Sequence, residues 1–358
     1  MAEQAPRHLR IVVPPAAWTA AMEDGSVQVP GLTWETAAHI AHAPERFVAT
    51  REQAYDVGEN GLRRYIIDLL DGAPPTAIPV FFSREYMHRN LLVREDSPLS
   101  SLADLAGKAI GSRLTVVSGT GAAVLMMLEQ AYDVDLTSLK LHMDVGRFPT
   151  NRMGLNMQPG PETDDVALAQ LLGGELDAVI LTTGPRYHSL FGGDGVDDVV
   201  AAHPGIRTLV TEPEVMVDAY RRTGLYPISD VVVLRRELVD EAPEAPAQLV
   251  DAYRRTGLYP ISDVVVLRRE LVDEAPEAPA QLVDAFSRAN ALAGRHRDAD
   301  EQRMADRELA LLDRDPYGYE LGPDQRLNLK AYTDFFYRMG AIERALEPEE
   351  LFIPSTVS

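Results

Sequence analysis

Short apolar runs alternate with helical patterns along most of this sequence. HLRIVV, TAIPVFF and DAVILTT have the length and β-branched content of buried strands. LRRYIIDLLDG and GTGAAVLMMLEQAYDVD instead carry apolar residues at the spacing of helices. A crossover between parallel strands needs a connection long enough to hold a helix, so this alternation is typical of sheets covered by helices. We therefore predict an α/β fold.

The composition narrows the range of partners. The chain has 358 residues, of which 46% are hydrophobic, enough for one large domain or two medium ones. Its net charge of −21 argues against nucleic acid or an anionic membrane surface, because both require a basic face. Cysteine is absent, which excludes disulfides, thiolate chemistry and cysteine-built zinc sites.

The sequence also predicts no insertion into a membrane. No stretch approaches the roughly 20 apolar residues that a membrane-spanning helix needs. The first residues, MAEQAPRHLRIVVPP, lack the pattern of a signal peptide. We therefore expect a cytoplasmic protein.

Two segments share one design. LLVRED and DVVVLRRE are each an apolar strand followed by charged residues, and a second α/β set lies between them. This order resembles the type II periplasmic-binding-protein fold, in which two lobes are joined by two crossing strands and a ligand lies in the cleft. The resemblance implies that these two segments are the crossing strands. It also implies that lobe 1 comprises residues 1–105 and 264–358, and that lobe 2 comprises residues 106–229.

A set of short motifs narrows the resemblance. In order along the chain they are YDVGENGLRRY, AIPVFFSREYMHRNLLVRED, DLAGKAIG, LLGGELDAVI, RRTGLYPISDVVVLRRE, DPYGYELGPDQR and EPEELFIP. Their order and spacing resemble the 4,5-dihydroxyphthalate decarboxylase family over nearly the whole chain. The resemblance implies a lyase that needs no cofactor and binds a small carboxylate.

An exact tandem repeat interrupts this pattern. The 33 residues from Val217 to Leu249 recur unchanged from Val250 to Leu282, whereas the family pattern has one copy. Two copies are too few for a solenoid. We interpret the repeat as a recent duplication or an error of sequence assembly. We expect one copy to fill the crossing strand and the other, as an extra β-α unit, to bulge outward. The sequence leaves open which copy does which.

No motif for a cofactor appears. The histidines have no HxH or HExxH spacing, and there is no GxSxG elbow, P-loop or dinucleotide-binding fingerprint. We therefore predict a protein without a metal, flavin, nicotinamide or nucleotide cofactor.

Two residues are candidates for catalysis. Decarboxylation of a hydroxylated aromatic acid needs a group that polarises the phenol and an acid that protonates the ring carbon. Glu59, just after a predicted strand, matches a family glutamate, although it could instead cap the next helix. His88, at the start of the first crossing strand, matches a family histidine, and histidine transfers protons near neutral pH. A purely structural histidine is the alternative.

Further residues are candidates for binding the substrate. Arg84 could form a fork around a carboxylate, and the helix start at Gly119 and Thr120 could hold an oxyanion. Arg186 follows a strand, where ligands of α/β proteins gather. The alternatives are surface ion pairs, an ordinary helix cap and a solvated loop charge. The full predicted set is Arg84, Ser112, Arg113, Gly119, Thr120, Thr183, Arg186, Tyr226, Asp230, Tyr259, Asp263 and Tyr317.

The sequence departs from the family pattern where a ligand would lie. Ser112-Arg113-Leu114-Thr115 replaces a Pro-Glu-Tyr-Gln run, and Asp230 and Asp263 stand where relatives have histidine. We therefore expect a substrate other than 4,5-dihydroxyphthalate. The leading hypothesis is a decarboxylase of a small aromatic acid bound in the inter-lobe cleft. The alternatives are a non-catalytic solute-binding protein of the ABC-transporter type and a biosynthetic enzyme that reuses the scaffold. Whether the protein forms a homo-oligomer is left open.

Overall fold

A computed structural model gives the structure of the chain. It describes residues 7–12, 24–25, 32–37, 57–71, 77–78, 87–144, 151–181, 194–225, 230–234 and 321–352, with isolated positions 40, 45, 48–49, 52, 54–55, 306 and 310. The chain divides into two compact units. Unit 1 contains Met1–Arg84, Ile228–Arg326 and Glu347–Ser358, and unit 2 contains Glu85–Pro227 and Leu327–Leu346.

Unit 1 contains a five-stranded sheet. Its strands are β1 (Arg7–Val12), β2 (Leu32–Thr36), β3 (Val57–Gly61), β4 (Ala77–Ile78) and β11 (Asp230–Leu234), in the order β2-β1-β3-β11-β4. Strands β2, β1 and β3 are parallel, whereas β11 runs antiparallel to both β3 and β4. Helix α1 (Leu62–Leu70) follows β3 and packs against this sheet.

One buried tyrosine joins three parts of unit 1. Helix α1 buries Leu62, Tyr65 and Ile66, which lie on one face of the helix at three- and four-residue spacing. The Tyr65 hydroxyl donates to the backbone oxygen of Leu351 at 2.5 Å and accepts from the backbone nitrogen of Ala77 at 3.1 Å. The tyrosine thus ties α1 to β4 and to the short 3-10 helix at Pro348–Leu351.

Unit 2 contains a six-stranded sheet. Its strands are β5 (Leu91–Arg94), β6 (Ala109–Thr115), β7 (Lys140–Asp144), β8 (Asn156–Gln158), β9 (Ala178–Ile180) and β10 (Ile206–Thr208), in the order β10-β5-β9-β6-β7-β8. Strands β9, β6, β7 and β8 are parallel, and β5 runs antiparallel to β9 and β10. The connecting helices are α2 (Gly119–Tyr132), α3 (Asp164–Gly173), α4 (Asp194–Ala202) and α5 (Pro213–Thr223).

The two sheets repeat one strand order. In unit 1, β1 lies between β2 and β3, and an antiparallel strand separates β3 from β4; in unit 2, β6 lies between β7 and β9, and an antiparallel strand separates β9 from β10. That antiparallel strand is β11 in unit 1 and β5 in unit 2, and each follows a passage of the chain from one unit to the other. Strand β8 extends the unit 2 sheet at one edge. The fold is therefore the type II periplasmic-binding-protein-like arrangement, as predicted.

The boundaries between the two units differ from the predicted lobe boundaries at residues 105 and 229. Residues 85–105 lie in unit 2 because β5 pairs with β9 and β10 there. Strand β11 lies in unit 1 because it pairs with β3 and β4. Residues 327–346, which hold most of helix α6 (Pro323–Met339), also lie in unit 2. Each crossing strand thus belongs to the unit that it enters.

Helix α2 is the central helix of unit 2. Residues Gly121 to Leu128 are all buried, so the helix is apolar on nearly every side. Helix α6 buries Leu329, Tyr332, Phe335, Phe336 and Met339. Its Arg338 donates two hydrogen bonds to Glu129 of α2, at 2.6 and 2.5 Å, which is the bidentate geometry that suits a guanidinium and a carboxylate. The C-terminal helix therefore fixes the position of α2.

The first repeat copy contributes to both units. Its first residues form the second half of α5, where Val217, Ala219 and Tyr220 are buried, and the helix ends at Gly224 with a φ of 68°. Its DVVVL segment is β11. The second copy lies outside the described residues.

Replacing Tyr65 with phenylalanine should destabilise the protein by about 1–3 kcal/mol, because a buried backbone oxygen and a buried backbone nitrogen lose their partner. The free energy of unfolding from chemical denaturation measures this loss. Tyr337→Phe, at an exposed position of α6, is the matched control. Equal effects of the two substitutions would contradict the assignment.

Deleting 33 residues should leave a folded protein. Removal of either copy yields the same 325-residue chain. This chain keeps the full sequences of α5 and β11, with the same residues before the first copy and after the second. Loop length affects stability only weakly, so we expect a melting temperature equal to that of the full chain or higher. Circular dichroism and thermal melting provide the measurement. An insoluble or unfolded deletion variant would show that the fold requires both copies.

Candidate functional site

One edge of the unit 2 sheet gathers helix starts and strand ends. Parallel strands β6, β7, β8 and β9 end at the same edge, and β10, antiparallel to β5, ends there too. Helices α2 and α5 begin just beyond β6 and β10. Because β5 runs the other way, the residues that precede Leu91 lie at this edge as well. Ligands of α/β proteins bind outside the carboxyl ends of the strands. We call this region the carboxyl edge of unit 2.

His88 lies at the carboxyl edge, in the 3-10 helix Met87–Asn90 directly before β5. The side chain is fully buried, and α2 packs against this turn. Asn90 holds the turn to the end of β9: its Nδ2 donates to Leu181 O at 2.6 Å, and its own backbone oxygen accepts from Leu181 N at 3.0 Å. The turn that carries His88 is therefore fixed to the sheet.

Ser112 and Arg113 both have partners within unit 2. The buried Ser112 hydroxyl donates to Ile180 O at 2.7 Å and accepts from Leu114 N at 3.2 Å. These bonds join β6 to β9. The Arg113 Nε donates to Asp164 in the first turn of α3 at 2.8 Å. Both contacts stabilise the sheet and its helices, and they engage the groups that the sequence predicts for ligand binding.

The start of α2 is capped by Ser118. Its hydroxyl accepts from Gly121 N at 3.0 Å, so Thr120, one candidate for this role, is not the cap. Thr120 is partly exposed in the first turn. Just before the helix, at the end of β6, Thr115 Oγ1 is buried and has no hydrogen-bond partner in the described part of the chain.

The two glycines at this start differ in their surroundings. A Cβ at Gly121 would lie 2.5 Å from the backbone oxygen of Thr115, so only glycine fits there. A Cβ at Gly119 would meet no described atom within 4 Å. The Gly-Thr-Gly motif therefore combines one packing glycine with one glycine that borders open space.

Glu212 is a residue of the carboxyl edge that the sequence analysis did not identify. It precedes α5, and its carboxylate accepts from Thr211 N at 3.2 Å and Thr211 Oγ1 at 3.1 Å. Hydrogen bonds from its own backbone N–H and from Thr211, together with the positive charge of His88, hold the pKa of Glu212 below its ordinary value. The signal in the sequence was an acidic residue followed by proline, which is typical of a helix start.

Glu59 and Asp230 lie in unit 1, on neighbouring strands. Glu59 of β3 pairs with Val232 of β11, and Asp230 pairs with Gly61. They therefore occupy nearby positions of one antiparallel ladder. The other predicted site residues, Arg84, Thr183, Arg186, Tyr226, Tyr259, Asp263 and Tyr317, lie outside the described residues.

The described residues show neither a metal-binding cluster nor a membrane-spanning helix. They contain no group of three or more histidine, aspartate or glutamate side chains arranged to hold a metal ion. None of their helices is both long enough and apolar enough to cross a membrane.

Two curated relatives share this sequence pattern. The chain is 30% identical over 235 residues to the 4,5-dihydroxyphthalate decarboxylase of Comamonas testosteroni, a match that covers 62% of this chain and 66% of the relative. It is 29% identical over 205 residues to the protein of that name from Pseudomonas putida, covering 53% of this chain and 72% of the relative. The chain is related to these decarboxylases at the level of a protein family. The first match spans slightly less than two thirds of the relative's length. No family model matches the chain.

Solved structures of similar shape include both binding proteins and an enzyme. The aliphatic sulphonate binding protein SsuA of Escherichia coli has a TM-score of 0.46 at 16% identity, and SsuA of Methylobacillus flagellatus KT has 0.49 at 12%. Each match covers 99% of this chain and 92% of the other. The desulfurization enzyme DSZB has a TM-score of 0.40 at 15% identity, covering 96% of both chains. Because all three TM-scores are below 0.5, we assign the fold class from the strand order described above and not from these similarities.

The two glycines of α2 give a matched pair of variants. Gly121→Ala should lower the melting temperature clearly, because the new Cβ would collide with backbone and not with a movable side chain. Gly119→Ala should leave it unchanged or raise it slightly, since alanine favours helix and meets open space. Thermal melting of the two variants beside the unaltered protein is the measurement. Similar losses in both variants would show that the helix start is packed differently.

Proposed function

We propose that this protein is a cofactor-independent decarboxylase of a small aromatic carboxylic acid that binds at the carboxyl edge of unit 2. The observation that carries the proposal is the fully buried His88 at this edge, in a chain related at family level to two proteins named as decarboxylases. A buried imidazole beside a helix start combines a proton donor with a site for an anion.

The start of α2 supplies the anion site in this proposal. An α-helix leaves its first N–H groups without partners inside the helix, and Ser118 takes only that of Gly121. No described residue accepts from the N–H groups of Gly119 and Thr120, and a Cβ at Gly119 would meet no described atom within 4 Å, so we propose that these two N–H groups bind the carboxylate. The positive end of the helix dipole favours the same charge.

His88 supplies the proton. Protonated imidazole gives its proton to the ring carbon that bears the carboxylate. The bond from that carbon to the carboxylate then breaks, and its electron pair restores the aromatic ring as carbon dioxide leaves. Neutral His88 regains a proton from solvent. A phenolic hydroxyl on the substrate stabilises the protonated ring, so we propose hydroxylated acids as substrates.

We further propose that 4,5-dihydroxyphthalate itself is not the substrate. Residues 112–115 differ from the family pattern, and in this structure Ser112 and Arg113 are engaged with Ile180 and Asp164. Asp230 stands at the start of β11 where relatives have histidine. The residues at these positions differ in charge and in shape from those of the family pattern, so we expect a ligand that differs from that of the relatives.

The direct test is carbon dioxide release from a panel of hydroxybenzoates and phthalates, including 4,5-dihydroxyphthalate. His88→Asn should lower kcat about 10²- to 10⁴-fold, which is the usual contribution of a general acid. His203→Asn is the control: this histidine follows the last residue of α4, at the opposite edge of the sheet, and contacts Val199 O at 2.8 Å. Circular dichroism verifies that both variants fold. Undiminished turnover in His88→Asn would overturn the site.

A non-catalytic binding protein is the second candidate. The observation in its favour is the aspartate at position 230, because it removes a histidine that the resembling family carries there. Melting temperatures measured with the same panel distinguish the two, since a ligand that binds only the folded state raises the melting temperature. A rise without any carbon dioxide release would favour binding alone.

A further inference from the structure

Glu212 and His88 each lie just beyond one of two paired strands, β10 and β5. Strand β10 pairs antiparallel with β5, with Ile206 opposite Arg94 and Thr208 opposite Leu92. The pairing continues one step further, since Leu209 N donates to Leu91 O at 2.9 Å. Beyond this last pair, Glu212 lies three residues after Leu209 and His88 three residues before Leu91, and the charge of His88 acts on Glu212. Each lies just beyond its strand on the same side of the sheet.

Glu212 is exposed, and its carboxylate is hydrogen-bonded to its neighbour Thr211. The backbone N–H and the hydroxyl of Thr211 each donate to one of its oxygens. The residue occupies the N-cap position of α5 without a capping bond from its side chain, and a negative charge at this position is favoured by the positive end of the helix dipole. These contacts keep Glu212 ionised to lower pH than an ordinary glutamate, and the positive charge of His88 acts in the same direction.

Several other charged groups on the neighbouring elements are paired with one another. Arg89, next to His88, donates to Asp197 of α4 at 2.5 Å. Glu129 of α2 forms its fork with Arg338. On α5, Arg222 pairs with Asp218 at 2.6 Å, and these two charges act in opposite directions on Tyr132 of α2. Burial and the charge of Asp218 raise the pKa of Tyr132 to about 12, so it stays neutral. Glu214 is the remaining carboxylate of the α5 start.

We propose that Glu212 is a positioning residue for the reaction proposed above: its carboxylate stabilises the protonated form of His88 and so extends to higher pH the range in which His88 donates a proton. Burial alone favours the neutral imidazole, because removal from water disfavours the charged form. A carboxylate nearby opposes that effect. The role rests on the proposed function, but the electrostatic coupling is measurable without turnover.

The sign of the effect follows from this coupling. Removing the negative charge at position 212 disfavours imidazolium, so His88 loses its proton at a lower pH. An acid catalyst must be protonated, and activity therefore falls as pH rises through the midpoint of His88 titration. In Glu212→Gln that fall should occur at lower pH, with kcat affected and KM unchanged.

The test is an NMR titration of the full chain labelled at histidine, with the His88 signal identified by its loss in His88→Asn. Glu212→Gln should lower the titration midpoint of His88 by about 0.5–1 pH unit. Glu212→Asp should keep most of the wild-type midpoint, because it retains the charge. Glu214→Gln, which removes a carboxylate from the same helix turn, should shift it by less than about 0.2 pH unit.

The outcomes separate this inference from the proposed function. A lowered midpoint without turnover of any acid would retain the coupling and reject the decarboxylase. Turnover with an unchanged midpoint in Glu212→Gln would reject the role of Glu212. If Glu212→Gln fails to fold, Glu212→Ala removes the same charge: a lowered His88 midpoint supports the coupling, and an unchanged midpoint rejects it.

Discussion

The antiparallel entry of β5 into the unit 2 sheet determines where the candidate site lies. Leu91 pairs with Ile180 on one side, and its backbone oxygen accepts from Leu209 on the other. Because the strand runs against its neighbours, the residues before it lie where β9 and β10 end. The turn with His88, the end of β9 and the start of α5 are therefore neighbours. If β5 ran parallel to its neighbours, the residues after Arg94, and not His88, would lie at the carboxyl edge.

Packing around α2 holds the second half of the site. Gly121 allows the helix to approach the end of β6, where its Cα lies too near the Thr115 backbone oxygen for any side chain. The Arg338–Glu129 pair joins the same helix to α6. The helix is thus held near its start by the close packing of Gly121 and near its end by the Glu129 ion pair. Preorganised N–H donors at a helix start stabilise a bound anion without further ordering of the chain.

Sequence patterns predicted the strands and helices that are long or strongly apolar. HLRIVV and DVVVL form strands β1 and β11, and GTGAAVLMMLEQAY forms α2. Strands β8 and β10 were not predicted, because each has only three residues and owes its conformation to pairing with a neighbour. The sequence predicted a strand in each of the two repeat copies and left open which one joins the sheet. The DVVVL segment of the first copy is β11, because it pairs with β3 and β4.

The site was predictable only in part, for similar physical reasons. His88 was a candidate because histidine transfers protons near neutral pH, and the structure places it at the carboxyl edge of unit 2. The structural use of Ser112 depends on Ile180, which lies 68 residues away, and such a contact leaves no local pattern. The capping role fell to Ser118 and not to Thr120, since helix starts are uncertain by one or two residues in any pattern. The effect of the His88 charge on Glu212 joins residues 124 positions apart, which no local pattern reveals.

A structure with a bound hydroxylated aromatic acid would test the central claim most directly. The account predicts that the carboxylate of the acid accepts hydrogen bonds from the N–H groups of Gly119 or Thr120, with the ring within reach of the His88 imidazole. A ligand that contacts neither α2 nor His88 would contradict it.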